Sequence, residues 1–118
     1  MSILAELYTF IHTEKIMLHQ SFQPHLPQVI ALLKKHKIKQ AYVFGSVVTD
    51  RFNDQSDVDF LVNLQEGLDP VEAGGHLWDL YYELKDLLNR DVDVLTERSL
   101  KNPYFIKEVN KTKIPIYG

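Results

Sequence analysis

Residues 69–89, DPVEAGGHLWDLYYELKDLLN, constrain the fold most, because they spell one long amphipathic helix with both ends marked. Asp69 is placed to cap its N-terminus, Pro70 to fill the first helical position, and Glu72 to reach back. Leu77, Leu80, Tyr81, Leu84, Leu87 and Leu88 recur at i, i+3, i+4 and i+7, a stripe that must be buried against something. Gly74 and Gly75 weaken the early turns by roughly 1 kcal/mol each relative to Ala. Asn89 suits the left-handed position that ends a helix. Short apolar strands flank the helix, SDVDFLVNL (56–64) before it and DVDVLT (91–96) after it. Upstream, QAYVFG (40–45) reads as a buried strand ending in glycine, preceded by a helix over 27–36 with Val29, Ile30, Leu32 and Leu33 inward. A helix over 3–19 opens the chain, capped by Ser2, with Leu4, Leu7, Tyr8, Ile11 and Leu18 on its stripe. Downstream, Ser99 caps a last helix with Pro103 in its early turns, and IPIY (114–117) forms a short final strand. The order α-α-β-β-α-β-α-β gives an α/β (α+β) domain, a small mixed sheet with helices packed on one face.

Composition narrows the function classes. A chain of 118 residues with 45% hydrophobic and 25% charged residues has enough apolar material for one unstapled domain. With no cysteine there is neither a disulfide scaffold nor a thiolate metal site. The opening MSILAELYTF lacks a basic leader and is interrupted by Glu6, so no signal peptide is expected. No stretch approaches the roughly 18 apolar residues of a membrane span. A cytoplasmic protein is the expectation. A net charge of −3 disfavours nucleic acid as a default partner.

The chemistry concentrates in FGSVVTDRFNDQSDVDFLV, residues 44–62. Side chains alternate on a strand, so Asp57, Asp59 and Leu61 share one face and Val58, Phe60 and Val62 the other. The apolar face packs on helices; the acidic face must meet water or a cation, because unpaired carboxylates are costly to bury. In DVDVLT the same alternation puts Asp91 and Asp93 together, and periodicity does not choose between them. If the two strands are neighbours, oxygen ligands cluster on an uncovered sheet face. Carboxylates without cysteine or a histidine pair suit Mg²⁺ or Mn²⁺ over Zn²⁺. Gly45 lets backbone approach a ligand closely, and Ser46 can donate to a phosphate oxygen. Alone, a Gly-Ser is commonly just a turn, and an Asp-x-Asp a solvated strand face. Their joint spacing arises by composition in on the order of one chain in a thousand, which favours a metal–nucleotide site.

At these residues the sequence resembles the minimal nucleotidyltransferase family of the polymerase-beta-like superfamily. Gly45, Ser46, Asp57 and Asp59 match its signature, and Asp93 falls where the family carries its third acid. The resemblance implies the polymerase-beta-like fold over residues 23–118, with 1–22 as an added N-terminal helix. It implies two Mg²⁺ ions held by Asp57, Asp59 and Asp93, and ATP or another NTP on Gly45 and Ser46. Thr49 and Arg51 are further nucleotide contacts on this reading, Arg51 being the nearest cation where members often carry a basic run. The implied reaction moves NMP, chiefly AMP, to a hydroxyl acceptor, a tyrosine of a HEPN-type toxin whose antitoxin this chain would be. A homo- or hetero-oligomer is compatible with this, and a non-catalytic antitoxin that acts by occlusion is the alternative.

Other features are read blandly. KKHKIK (34–39) is a solvated cationic helix end. His12, His19, His25, His36 and His76 show no paired ligand spacing. Trp78, Tyr81 and Tyr82 fall at helical spacing, as core or interface residues do.

Overall fold

A computed structural model describes residues 18–49, 51–53 and 55–118. Its elements are helix α1 (Leu26–Lys35), strands β1 (Ile38–Phe44) and β2 (Val58–Leu64), helix α2 (Pro70–Leu88), strand β3 (Val92–Thr96), helix α3 (Pro103–Thr112) and strand β4 (Ile114–Tyr117). The helix expected over 3–19 lies outside the described residues except for Leu18 and His19, which are not helical.

The long helix forms for the reasons its sequence announces. Asp69 Oδ1 accepts from the Glu72 amide at 2.9 Å, and Asn89 ends α2 at φ 51°. Glu72 does not close the reciprocal cap; its carboxylate pairs with Lys37 at 2.9 Å, because a cation at the end of α1 is within reach. Leu80, Leu84 and Leu88 are buried and Leu77, Tyr81 and Leu87 pack beside them, while Trp78 and Tyr82 point outward, 65% and 46% exposed. The last helix is capped by Asn102, whose side chain accepts from Tyr104 and Phe105 amides, and not by Ser99. Ser99 instead closes a 3₁₀ turn by donating to the Thr96 carbonyl.

The strands form one sheet in the order β3-β2-β1-β4. β2 pairs antiparallel with β1 and parallel with β3, the latter pairing being what a long crossover helix permits. Val43, Val58, Phe60, Val62 and Val92 meet Val29 and Leu33 of α1 and the α2 leucines in the main core. Leu18 and Phe22 are buried in the same core. The opposite face is not left uncovered, as alternation alone suggested. Val109 of α3 packs there on Phe44 and Leu61, so the acid-bearing face is apolar along its middle and open near the start of β2.

Candidate active site

Three chain segments meet at that open end. β1 finishes at Phe44, and the chain turns at once through the 3₁₀ segment Gly45–Val48. Phe44 pairs with Asp59, and Asp59 lies opposite Asp93 across the parallel β2–β3 pair. Asp57 sits just ahead of β2, exposed, with its carbonyl accepting from Ser46 Oγ at 3.3 Å. Gly45, Ser46, Asp57, Asp59 and Asp93 are therefore brought together.

Gly45 is required twice. Its φ of 76° is left-handed, and a Cβ there would fall onto Asp59 Oδ2. The glycine lets backbone and carboxylate share a space that any other residue would fill. Asp59 pays for its position electrostatically. Burial, a hydrogen bond with Asp93, and the charges of Asp93 and Asp57 push its carboxyl up to about 7. A cation seated between Asp59 and Asp93 would relieve that repulsion.

The other expected residues are placed differently. Asp91 precedes β3 and does not join the acids by alternation: its carboxylate lies 3.5 Å from Lys85 Nζ, and its carbonyl accepts from the Val58 amide. Thr49 Oγ1 donates to the Ser46 carbonyl at 2.8 Å and accepts from the Arg51 amide at 3.2 Å, so its hydroxyl is engaged in closing the turn. Arg51 is exposed on the loop beyond.

Two features escaped the sequence reading. His36 is buried, its Nε2 hydrogen-bonded to Glu83 and its Nδ1 3.1 Å from His76 Nδ1. His36 caps the end of α1 and His76 lies within α2, forty residues apart, so no local spacing announces the pair. Arg90 donates from one nitrogen to the Asn53 and Ser56 carbonyls, at 2.9 Å each.

Donor chemistry fits a hard divalent cation: oxygen ligands only, two carboxyls in mutual repulsion at Asp59 and Asp93, and solvent on one side. Among the described residues no three acidic or histidine side chains are already converged as a ligand set; Asp59 and Asp93 touch, and Asp57 acts on Asp59 through its charge.

Residues 27–118 match the polymerase beta nucleotidyltransferase family. The chain belongs to that family. A relative of this nucleotidyltransferase in Methanocaldococcus jannaschii, provisionally named a protein adenylyltransferase, is 38% identical over 73 residues, spanning 62% of this chain and 74% of its own. Among solved structures, a toxin–antitoxin complex with AMP-PNP matches at a TM-score of 0.63 and 26% identity, covering 79% of the nucleotidyltransferase and 73% of the other chain. A Shewanella oneidensis complex of a tri-AMPylated HEPN toxin with its minimal nucleotidyltransferase antitoxin matches at 0.58 and 26%, covering 81% and 71%. The chain is thus an enzyme of the nucleotidyltransferase class with the mixed-sheet fold of that family. Among the described residues no helix is long and apolar enough to cross a membrane.

Proposed function

We propose that this nucleotidyltransferase transfers AMP from ATP to a hydroxyl of a partner protein, a tyrosine of a HEPN-type toxin, and acts as that toxin's antitoxin in the cytoplasm. The observation that carries the reading is the in-register pairing of Asp59 with Asp93 beside Gly45, where the backbone of the turn and the Asp59 carboxyl share one space. The protein adenylyltransferase name of the archaeal relative and the AMPylated toxin in the matched complex support the choice of AMP and of a protein acceptor.

Asp57, Asp59 and Asp93 would hold two Mg²⁺ ions, with Mn²⁺ able to replace them; such ions supply charge neutralisation on the phosphates and on the attacking and leaving oxygens. The protein does the rest. Gly45 keeps the turn within reach of the triphosphate, and the Ser46 hydroxyl, on a 3.3 Å bond to Asp57, can turn to a phosphate oxygen. Thr49 holds the turn's shape, and Arg51 offers positive charge at its rim. The acceptor oxygen bonds to the α-phosphorus as the α–β bridging P–O bond breaks and pyrophosphate leaves. Asp93 takes the hydroxyl proton. Placement and charge account for most of the rate of such transfers.

Incubation with labelled ATP, Mg²⁺ and the co-purifying partner tests this. Wild type should label the partner, and Asp59→Asn or Asp93→Asn should abolish labelling while leaving the complex intact. Neutralisation of the toxin by the unlabelling variants would instead establish occlusion as the mechanism.

A further inference from the structure

Arg90 lies between the end of α2 and the start of β3, remote in sequence from the turn and loop of residues 45–57. Yet its guanidinium is turned back over that loop. One nitrogen donates to the carbonyls of Asn53 and Ser56, and the guanidinium carbon stands 4.3 Å from the centre of the Phe52 ring. Phe52 is itself buried. Asn53 and Ser56 are tied to each other as well: Asn53 N donates to Ser56 Oγ at 3.0 Å, and Ser56 N to the Asn53 carbonyl at 3.0 Å. Arg90 thus caps both carbonyls of a small closed turn.

The residues that follow are held just as closely. Ser56 O is held by Arg90, Asp57 O by Ser46 Oγ, and Val58 N by the Asp91 carbonyl. Three consecutive residues have their main chain tied to two segments, the Gly-Ser turn and the Arg90–Asp91 link into β3. The part of Asp57 left free is its exposed carboxylate. A planar guanidinium can donate to two carbonyls from one nitrogen while laying its flat face on an aromatic ring, a stacking that an ammonium lacks.

We propose that Arg90 is a positioning residue for the nucleotidyl-transfer site: it sets the backbone at Ser56–Asp57 and thereby aims the Asp57 carboxylate at the place shared with Asp59 and Asp93. The proposal rests on the reading of Asp57 as part of that site. Arg90 does not touch the nucleotide on this view; its charge is spent on loop carbonyls and the Phe52 ring.

Arg90→Met keeps the apolar stem over Phe52 and removes both bonds; Arg90→Lys keeps the charge and part of the hydrogen bonding but loses the planar contact with Phe52. Hydrogen exchange of the 53–58 amides should accelerate in Arg90→Met and less in Arg90→Lys, with exchange in α1 and α2 unchanged. Mn²⁺, titrated by electron paramagnetic resonance with a non-hydrolysable ATP analogue present, should bind about ten- to a hundredfold more weakly to Arg90→Met, as when a residue supporting a ligand is removed. Labelling rates at saturating ATP should fall while the ATP concentration giving half-maximal rate changes little. A rise in that concentration alone would make Arg90 a nucleotide contact and overturn the proposal. So would wild-type exchange at 53–58 in folded Arg90→Met. If wild type itself transfers no label, the reading of the site fails, while the exchange comparison still decides the role of Arg90.

Discussion

Between its ordinary value of 3.8 and about 7, the folded chain holds a proton on Asp59 that the unfolded chain gives up. Because the native state binds more protons there, stability falls as pH rises through that window and the deficit is complete above it. Asp59→Asn should therefore melt higher than wild type at pH 8, by on the order of 1–2 kcal/mol after solvent screening at the site's mouth. The difference should close near pH 4. An equal gain at both pH values in thermal melts would show that the carboxyl is not raised. Gly45→Ala acts on the same carboxylate from the other side. Left-handed backbone costs a residue with a side chain roughly 1–2 kcal/mol, and the new methyl would displace Asp59. We expect a lower melting temperature together with loss of labelling that added Mg²⁺ does not restore.

At the scale of elements, α1 and α2 are joined by a chain of polar contacts running Lys35–Glu83–His36–His76, with Glu72 between His76 and Lys37. Lys35 and His36 hold the Glu83 carboxyl below its usual range, so it stays ionised and keeps a proton on His36 Nε2. The two Nδ1 atoms, 3.1 Å apart, can then share one proton between them. His76→Ala takes away that partner and leaves a buried ring nitrogen unpaired, at a cost of about 1–3 kcal/mol. An unchanged melting temperature in His76→Ala would dismiss the shared proton.

For the whole molecule the open question is where the catalytic domain begins. A boundary at residue 22 was the sequence expectation, and as a proposal it needs adjusting, because Leu18 and Phe22 are 8% and 2% exposed in the main core. His19 also donates its amide to the Val47 carbonyl at 2.8 Å, tying this segment to the Gly-Ser turn. Removing residues 1–22 should cost several kcal/mol, since a buried Leu or Phe is worth about 2–5. Removing 1–17 should leave a folded enzyme that binds its partner more weakly. Melting curves and co-purification of the two truncations check both halves of the prediction.

Local chemistry determined a good deal by itself. The ends of α2, its buried leucines, the strands on either side, and Gly45, Ser46, Asp57 and Asp59 were legible because caps, alternation and helical period act within a few residues. Alternation did not choose between Asp91 and Asp93, and the family resemblance pointed to Asp93; the structure adds its pairing with Asp59 and the diversion of Asp91 to Lys85. What only the tertiary structure decided are contacts between segments far apart in the chain. The raised carboxyl of Asp59 needs Asp93 beside it; His36 needs His76 and Glu83; Arg90 needs the carbonyls of a loop more than thirty residues upstream. The packing of Val109 on Leu61 likewise closed a face that alternation left open. Periodicity reports which way a side chain points, but not what the rest of the fold brings to meet it.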